Sequence, residues 1–199
     1  MTIESNCPLS VTSYNVLLAS NSPRRQELLG MIVPRFDVVK LDNIDECYPA
    51  DTLVDDVAGY LSWLKANAYK QYLAPNEVIV TADTVVIIDD KILGKPHSYN
   101  EAVAMLQSLS GRQHRVMTGV TLTSVDKCVS FDETTHVTFD LLSGREIEAY
   151  IKNCRPYDKA GSYGIQEWIG AIGISKIDGD YYNVMGLPVN HLYHELLKF

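Results

Sequence analysis

The sequence predicts an α/β protein with a mixed, twisted central sheet flanked by helices. Apolar runs of strand length interleave with helix-period stripes along the whole chain, and capping signals stand where the stripes begin. Two short turn-forming pairs, Asp89-Asp90 and Asp178-Gly179, imply antiparallel neighbours in the same sheet. The 199 residues can bury a substantial core, as one large domain or as two lobes of one fold. No linker, repeat or low-complexity stretch interrupts them, so residues 16–199 read as one domain behind a polar N-terminal tail, residues 1–15.

Val16 to Ala19 is the first buried strand. It breaks at small hydroxyl residues and restarts as a helix, with Ser22 at the N-cap and Pro23 at the first helical position. Asp51 to Tyr72 is the clearest helix: Val54, Val57, Leu61, Leu64 and Ala68 step by three and four, and Thr52 with Asp55 has the form of a capping box. Val78-Ile79-Val80 and Val85-Val86-Ile87-Ile88 are strand segments on either side of Thr81-Ala82-Asp83-Thr84, and Asp89-Asp90 reads as a hairpin turn.

Ser98 and Glu101 cap a helix carrying Ala102, Val103, Leu106 and Leu109, which Gly111 closes. Strand-like stretches run from His114 to Leu122 and from Cys128 to Phe139. Ser143 and Glu146 open a short helix through Ile147, Tyr150 and Ile151. Residues 171–177 and 181–185 read as a hairpin around Asp178-Gly179. Pro188 starts a last helix with Val189, Leu192 and Leu196 inward.

Composition narrows the function classes. With 46% hydrophobic and 21% charged residues, the chain is globular rather than disordered. A net charge of −8 argues against a nucleic-acid polymer as partner, since that needs a broad basic face, but it leaves room for a local cluster around a small phosphorylated ligand. The four cysteines show no CxxC spacing, which suits a reducing cytosol. No signal-peptide pattern opens the sequence, and no apolar run approaches the roughly 20 residues that span a bilayer, so no membrane partner is expected and a cytoplasmic location is.

Arg24 and Arg25 fall in the first turn of the Ser22-capped helix, where free backbone N–H groups and the helix dipole already favour an anion. An anion site and a solvated arginine pair both fit this pattern. Asp83 lies between apolar strand segments, where an unpaired charge costs several kcal/mol. Either a metal or cation beside it, or backbone amides at a strand end, would explain it. Lys65 borders the apolar stripe of the long helix, so its stem can pack while its ammonium reaches out. Asp45-Glu46 offers a further acidic pair in a loop, and Gly94-Lys95-Pro96 puts an ammonium on a stiff turn. Residues 158–166 form a glycine-punctuated loop able to approach a ligand through its backbone.

Several signatures are absent from the sequence: GxxxxGK[ST], GxGxxG after a strand, HExxH and G-x-S-x-G. Asp83 has no acidic partner two residues away, which argues against a phosphoaspartyl mechanism. His191 and His194 have metal-ligand spacing, but without acidic or cysteine companions nearby they read as solvated helix histidines.

Taken in order, these blocks resemble the Maf family of nucleoside triphosphate pyrophosphatases. The resemblance rests on Ser20-Asn21-Ser22-Pro23-Arg24-Arg25 with Glu27-Leu28-Leu29, Asp45-Glu46, Lys65-Ala66, Ala82-Asp83-Thr84-Val85-Val86 and Gly94-Lys95-Pro96. It continues through Leu109-Ser110-Gly111, Val116-Met117-Thr118-Gly119, Asp158-Lys159-Ala160-Gly161 and Gly186-Leu187-Pro188, covering nearly the whole chain. It implies two lobes around an active-site cleft and a cytosolic enzyme, dependent on a divalent cation (Mg²⁺ or Mn²⁺), that cuts a nucleoside triphosphate between its α and β phosphates. By the family pattern Asp83 is the catalytic proton acceptor, with Lys65, Lys95 and Glu46 beside it. Ser20, Arg24, Arg25, Thr84, Lys159 and Gln166 are the implied substrate-binding residues, and Glu46 with Asp83 the metal ligands.

The loop Asp158-Lys159-Ala160-Gly161-Ser162-Tyr163-Gly164-Ile165-Gln166 resembles the branch that acts on dTTP and UTP. A 7-methyl-GTP-preferring member and a non-catalytic nucleotide-binding regulator of cell division are the alternatives, and a homodimer is left open. Two departures from the family pattern stand out: Thr81 where glycine is usual, and Glu167-Trp168 where small residues are common.

Overall fold

Twelve residues of unbroken strand, Glu77–Ile88, run through the middle of the fold and carry Asp83 with them. The computed structural model describes residues 1–40 and 44–199. In chain order its elements are β1 (Thr2–Glu4), β2 (Asn15–Leu18), α1 (Pro23–Gly30), β3 (Arg35–Val38), α2 (Val57–Lys70), β4 (Glu77–Ile88), β5 (Lys91–Leu93) and α3 (Tyr99–Leu109). Then follow β6 (Gln113–Thr123), β7 (Cys128–Phe139), α4 (Gly144–Cys154), α5 (Trp168–Gly173), β8 (Ile174–Asp178), α6 (Tyr181–Met185) and α7 (Val189–Leu196).

The strands form one mixed sheet in the order β1-β3-β2-β4-β6-β7-β8, with β5 paired to β4. β2 runs parallel to both β3 and β4, whereas β1 on β3, β5 on β4 and β8 on β7 are antiparallel. The expected mixed α/β sheet is therefore the observed one. The chain divides into two compact units, residues 1–83, 118–133 and 186–199 in the first and residues 84–117 and 134–185 in the second. In the first, Leu18, Leu28, Leu29, Phe36, Ala58, Val80, Leu122, Leu192 and Leu196 are buried. In the second, Val86, Leu106, Leu109, Val116, Phe139, Ile147, Tyr150, Ile151 and Ile169 form one apolar cluster.

Most local signals produce the elements expected of them. Ser22 caps α1 by accepting from the Arg25 amide, and Ser98 caps α3 by accepting from the Glu101 amide. Ser143 and Glu146 form a complete capping box on α4. Asp89 and Asp90 both take the left-handed conformation of a two-residue hairpin turn between β4 and β5.

Three expectations change. The long helix starts later than its stripe suggests: a 3₁₀ turn, Val54–Asp56, leads into α2, with Leu53 rather than Thr52 at its start. The Thr52 amide is committed to the Pro49 carbonyl at 3.0 Å, so no capping box forms there. The strand segments around residues 81–84 are one continuous strand. Within the N-terminal tail, β1 adds an edge strand to β3.

The hairpin around Asp178-Gly179 is overturned. Residues 168–173 are helical, β8 pairs with β7, and residues 181–185 are a helical turn. Asp180 Oδ1 accepts from the Tyr182 amide, and the buried Asn183 amide donates to the Val116 carbonyl and to Thr135 Oγ1. These polar ties need a turn that brings Asn183 inward, which a returning strand does not supply.

Candidate active site

In the first unit, β2 hands over to α1 through a tight polar corner. Ser20 Oγ accepts from the Ser22 amide at 3.2 Å, and the Gln26 side chain donates to the Ser20 carbonyl at 3.4 Å. Arg25, one turn into the helix, uses its guanidinium fork on two backbone carbonyls: Nε donates to Gly186 O at 2.8 Å and Nη1 to Ala82 O at 2.9 Å. It thereby ties α1 to the residue preceding Asp83. Burial pushes the Arg25 pKa down, Asp83 and Glu46 pull it back up, and Arg24 adds to the drop. The two arginines and two carboxylates thus share one electrostatic neighbourhood.

Lys65 projects from α2 into the same neighbourhood. Its ammonium lies 2.6 Å from Asp83 Oδ1 and 3.0 Å from Glu46 Oε2. The Lys65 and Asp83 side chains are only 13% and 17% exposed, while Glu46 is 55% exposed, so a sheltered pair has an open third member.

The backbone of α2 is pressed onto β6. A Cβ at Gly119 would stand 2.4 Å from the Ala58 carbonyl carbon and oxygen, so only glycine permits this approach. A hydroxyl relay, buried at Ser62 and Thr121 and exposed at Ser130, holds the helix at Ser62: Ser62 donates to Gly59 O at 2.8 Å, and Thr121 Oγ1 lies 2.9 Å from both Ser62 Oγ and Ser130 Oγ. Thr81, the departure from the family pattern, is fully buried and donates to Ser62 O at 2.7 Å. It bolts the helix to the strand two residues before Asp83.

The second unit carries Thr84, Lys95, Lys159 and Gln166. Thr84 is half-buried and Lys95 exposed. Two motif loops are stitched together where the Gly161 amide donates to Gly94 O at 3.1 Å. Gly161 has φ +66° and packs so closely on Val86 that a Cβ would stand 2.9 Å from its methyl carbon. Lys159 is 9% exposed at its side chain and pairs with Asp158 at 2.8 Å and Glu167 at 3.1 Å. Gln166 is exposed.

His114 is buried against Phe139 and Tyr163, with Nε2 2.7 Å from the Tyr163 hydroxyl. Burial lowers its pKa to about 4. His191 is not simply solvated: its Nδ1 lies 3.1 Å from Glu133, and its ring stacks on Phe131 at 3.9 Å. Among the described residues no group of three or more His, Cys, Asp or Glu is placed to hold a metal ion. Glu46 and Asp83, which meet at one cation, are a two-carboxylate set of hard oxygen donors. That set fits Mg²⁺, which keeps several of its waters.

The family pattern in the sequence points to Lys65 and Glu46 beside Asp83, but not to the backbone and hydroxyl partners. It missed the Gly186 and Ala82 carbonyls, the Ser62–Thr121–Ser130 relay, and the Tyr150 and Glu167 contacts around Lys159. The one available signal was compositional, in the unusual residues at 81 and 167.

The first unit therefore defines a protein with one sheltered and one open carboxylate, a lysine bridging them and an arginine-bearing helix start, set on two neighbouring interior strands of a mixed sheet. The Maf-like protein family matches residues 15–199, and the chain belongs to that family. A dTTP/UTP pyrophosphatase of Bacteroides thetaiotaomicron is 48% identical over 95% of this chain and 98% of its own length. One of Phocaeicola vulgatus is 49% identical over the same shares. The solved structure of a nucleoside-triphosphatase / dITP/XTP pyrophosphatase from Mycobacterium abscessus aligns with a TM-score of 0.36 at 13% identity, over 63% of this chain and 74% of that one, too loose a superposition to argue from.

Proposed function

We propose that the protein hydrolyses nucleoside triphosphates, dTTP and UTP foremost, between the α and β phosphates, giving the nucleoside monophosphate and pyrophosphate. The observation that carries this reading is the Lys65 ammonium held between Asp83 and Glu46, next to Arg25. Family membership and relatives named dTTP/UTP pyrophosphatase support it.

The residues divide the work. A water oxygen attacks the α phosphorus, the bond from that phosphorus to the bridging oxygen breaks, and pyrophosphate leaves with the electron pair. Asp83 accepts the proton of the attacking water, and Lys65 holds that carboxylate in place. Arg24 and the start of α1 meet the phosphate charge, while Arg25 orients the helix. Glu46 and Asp83 are the residues that would hold a divalent cation, Mg²⁺ or Mn²⁺, which supplies charge neutralisation and a more acidic water. In the second unit Lys95 is proposed for phosphate contact and Gln166 with Thr84 for the base, while Lys159, buried and paired with Asp158 and Glu167, supports the loop that carries Gln166. The Gln166 amide offers one donor group and one acceptor, which suits the N3–H and carbonyl edge of uracil or thymine.

We place the reaction in the cytosol. The four cysteines are free, as a reducing compartment requires, and no helix of the described residues is long and apolar enough to cross a membrane.

A panel of nucleoside triphosphates assayed with Mg²⁺ and Mn²⁺ for pyrophosphate, against orthophosphate, tests the reading. Pyrophosphate from dTTP and UTP, far above that from ATP or GTP, is the expected result. Orthophosphate as sole product, or no turnover of any nucleotide, overturns it; 7-methyl-GTP cleaved as well as dTTP overturns the base assignment.

A further inference from the structure

Gln166 stands exposed at a corner of the turn Gly164-Ile165-Gln166-Glu167, and what holds that turn runs through the residue after it. The Glu167 amide donates to Gly164 O at 3.0 Å, closing the turn through the backbone. A second closure runs through a side chain: the Tyr150 hydroxyl donates to Glu167 Oε2 and accepts from the Gly164 amide at 3.1 Å. One phenol oxygen therefore joins the two ends of the turn. The other carboxylate oxygen of Glu167 lies 3.1 Å from the buried Lys159 ammonium.

The fit leaves no slack. Glu167 makes no side-chain cap on α5, although it occupies the N-cap, because its carboxylate is folded back over the turn. A Cβ at position 164 would stand 2.9 Å from Glu167 Cδ, so Gly164 makes the room. Ile165 is buried behind the turn, which leaves Gln166 as the side chain presented outward.

We infer that Glu167 is a positioning residue for base selection: through Lys159 and Tyr150 it fixes the turn so that the Gln166 amide meets a pyrimidine edge in one orientation. This rests on the reading of Gln166 given above. A glutamine on a loose loop spends binding energy on ordering itself, and it can rotate its amide to suit a base with the opposite donor–acceptor pattern. Cytosine is that base, since it presents an amino donor and a bare N3 where uracil presents a carbonyl and N3–H.

The test is the ratio of kcat/KM for UTP to that for CTP, measured in the wild type, Glu167→Ala, Glu167→Gln, Tyr150→Phe and Gln166→Ala. Glu167→Ala should raise the UTP KM by about tenfold, lower kcat by less, and cut the UTP:CTP ratio by about tenfold. Glu167→Gln keeps an acceptor for Tyr150 and should recover part of the ratio; Tyr150→Phe should fall between. A role in folding alone lowers melting temperature and active fraction while leaving KM and the ratio unmoved. Should Glu167→Ala fail to fold, the Gln and Phe variants carry the same measurement. A wild type without preference for UTP, or a Gln166→Ala variant with the wild-type ratio, overturns the Gln166 reading and this inference with it. A preference present in the wild type, lost in Gln166→Ala and kept in the folded Glu167 and Tyr150 variants overturns the inference alone.

Discussion

Lys65 and Asp83 meet from different elements, α2 and β4, with 2.6 Å between Nζ and Oδ1 and both side chains largely sheltered from solvent. A carboxylate so placed has a cation built in beside it to offset its removal from water. Removing one partner therefore exposes the need for the other.

Asp83→Asn keeps the shape and removes the charge. Pyrophosphate release should fall by ~10²–10⁴-fold, as loss of a general base typically costs, while circular dichroism stays native. A folded variant retaining more than about a tenth of the wild-type rate removes Asp83 from the chemistry.

Arg25→Lys tests the tie between α1, β4 and the Gly186 segment. A lysine is a single point donor and cannot span Ala82 O and Gly186 O as the guanidinium fork does. One charge-assisted hydrogen bond is lost, so urea unfolding should show a loss of about 1.5–3 kcal/mol. An unchanged midpoint means that the fork contributes nothing to stability.

Gly119→Ala should be costly for a single methyl group. The new carbon would meet the Ala58–Gly59 peptide backbone at 2.4 Å, and no side-chain rotation relieves it. Overpacking of this kind costs roughly 1–3 kcal/mol or more, and here the upper end is expected from thermal unfolding. Because the same helix carries Lys65, turnover should drop further than the loss of folded protein explains.

Acid should destabilise the fold through His114. Its pKa is lowered to about 4 by burial, against an ordinary value of 6.5, so the unfolded chain binds a proton that the folded one refuses. Stability is therefore full above about pH 6.5 and is lost progressively as pH falls toward 4. The share owed to this group is roughly 2–3 kcal/mol by pH 4.5. His114→Gln, which keeps a polar partner for the Tyr163 hydroxyl, should flatten the stability curve between pH 6.5 and 4.5. An unaltered slope assigns the acid sensitivity to other groups.

Local chemistry made much of this fold legible. The Ser22-Pro23 start of α1 and the Ser143–Glu146 box each lie within a few residues, and both formed as expected. The misread segment, residues 171–185, is decided by Asn183 reaching Val116 and Thr135, 67 and 48 positions away. Periodicity carries no record of such a partner. The same holds for the site: Arg25 was visible as a motif residue, but its Gly186 acceptor lies 161 positions away. Residue types were legible, and their pairings were not.

The hydroxyl patch under α2 contains two kinds of evolutionary freedom. Ser62 and Thr121 are buried side-chain partners, so replacing one by an apolar residue takes a buried hydrogen bond from the other, whereas Ser130, at the exposed end of the relay, can turn to water. Drift at the buried pair is expected in concert, both polar or both apolar of matched volume. Thr81 bonds only to main-chain carbonyls, which are present whatever the side chains nearby. It can be gained or lost alone, so a lineage can tighten or slacken the grip of this helix on the strand that carries Asp83 by a single codon change while the rest of the patch stands still.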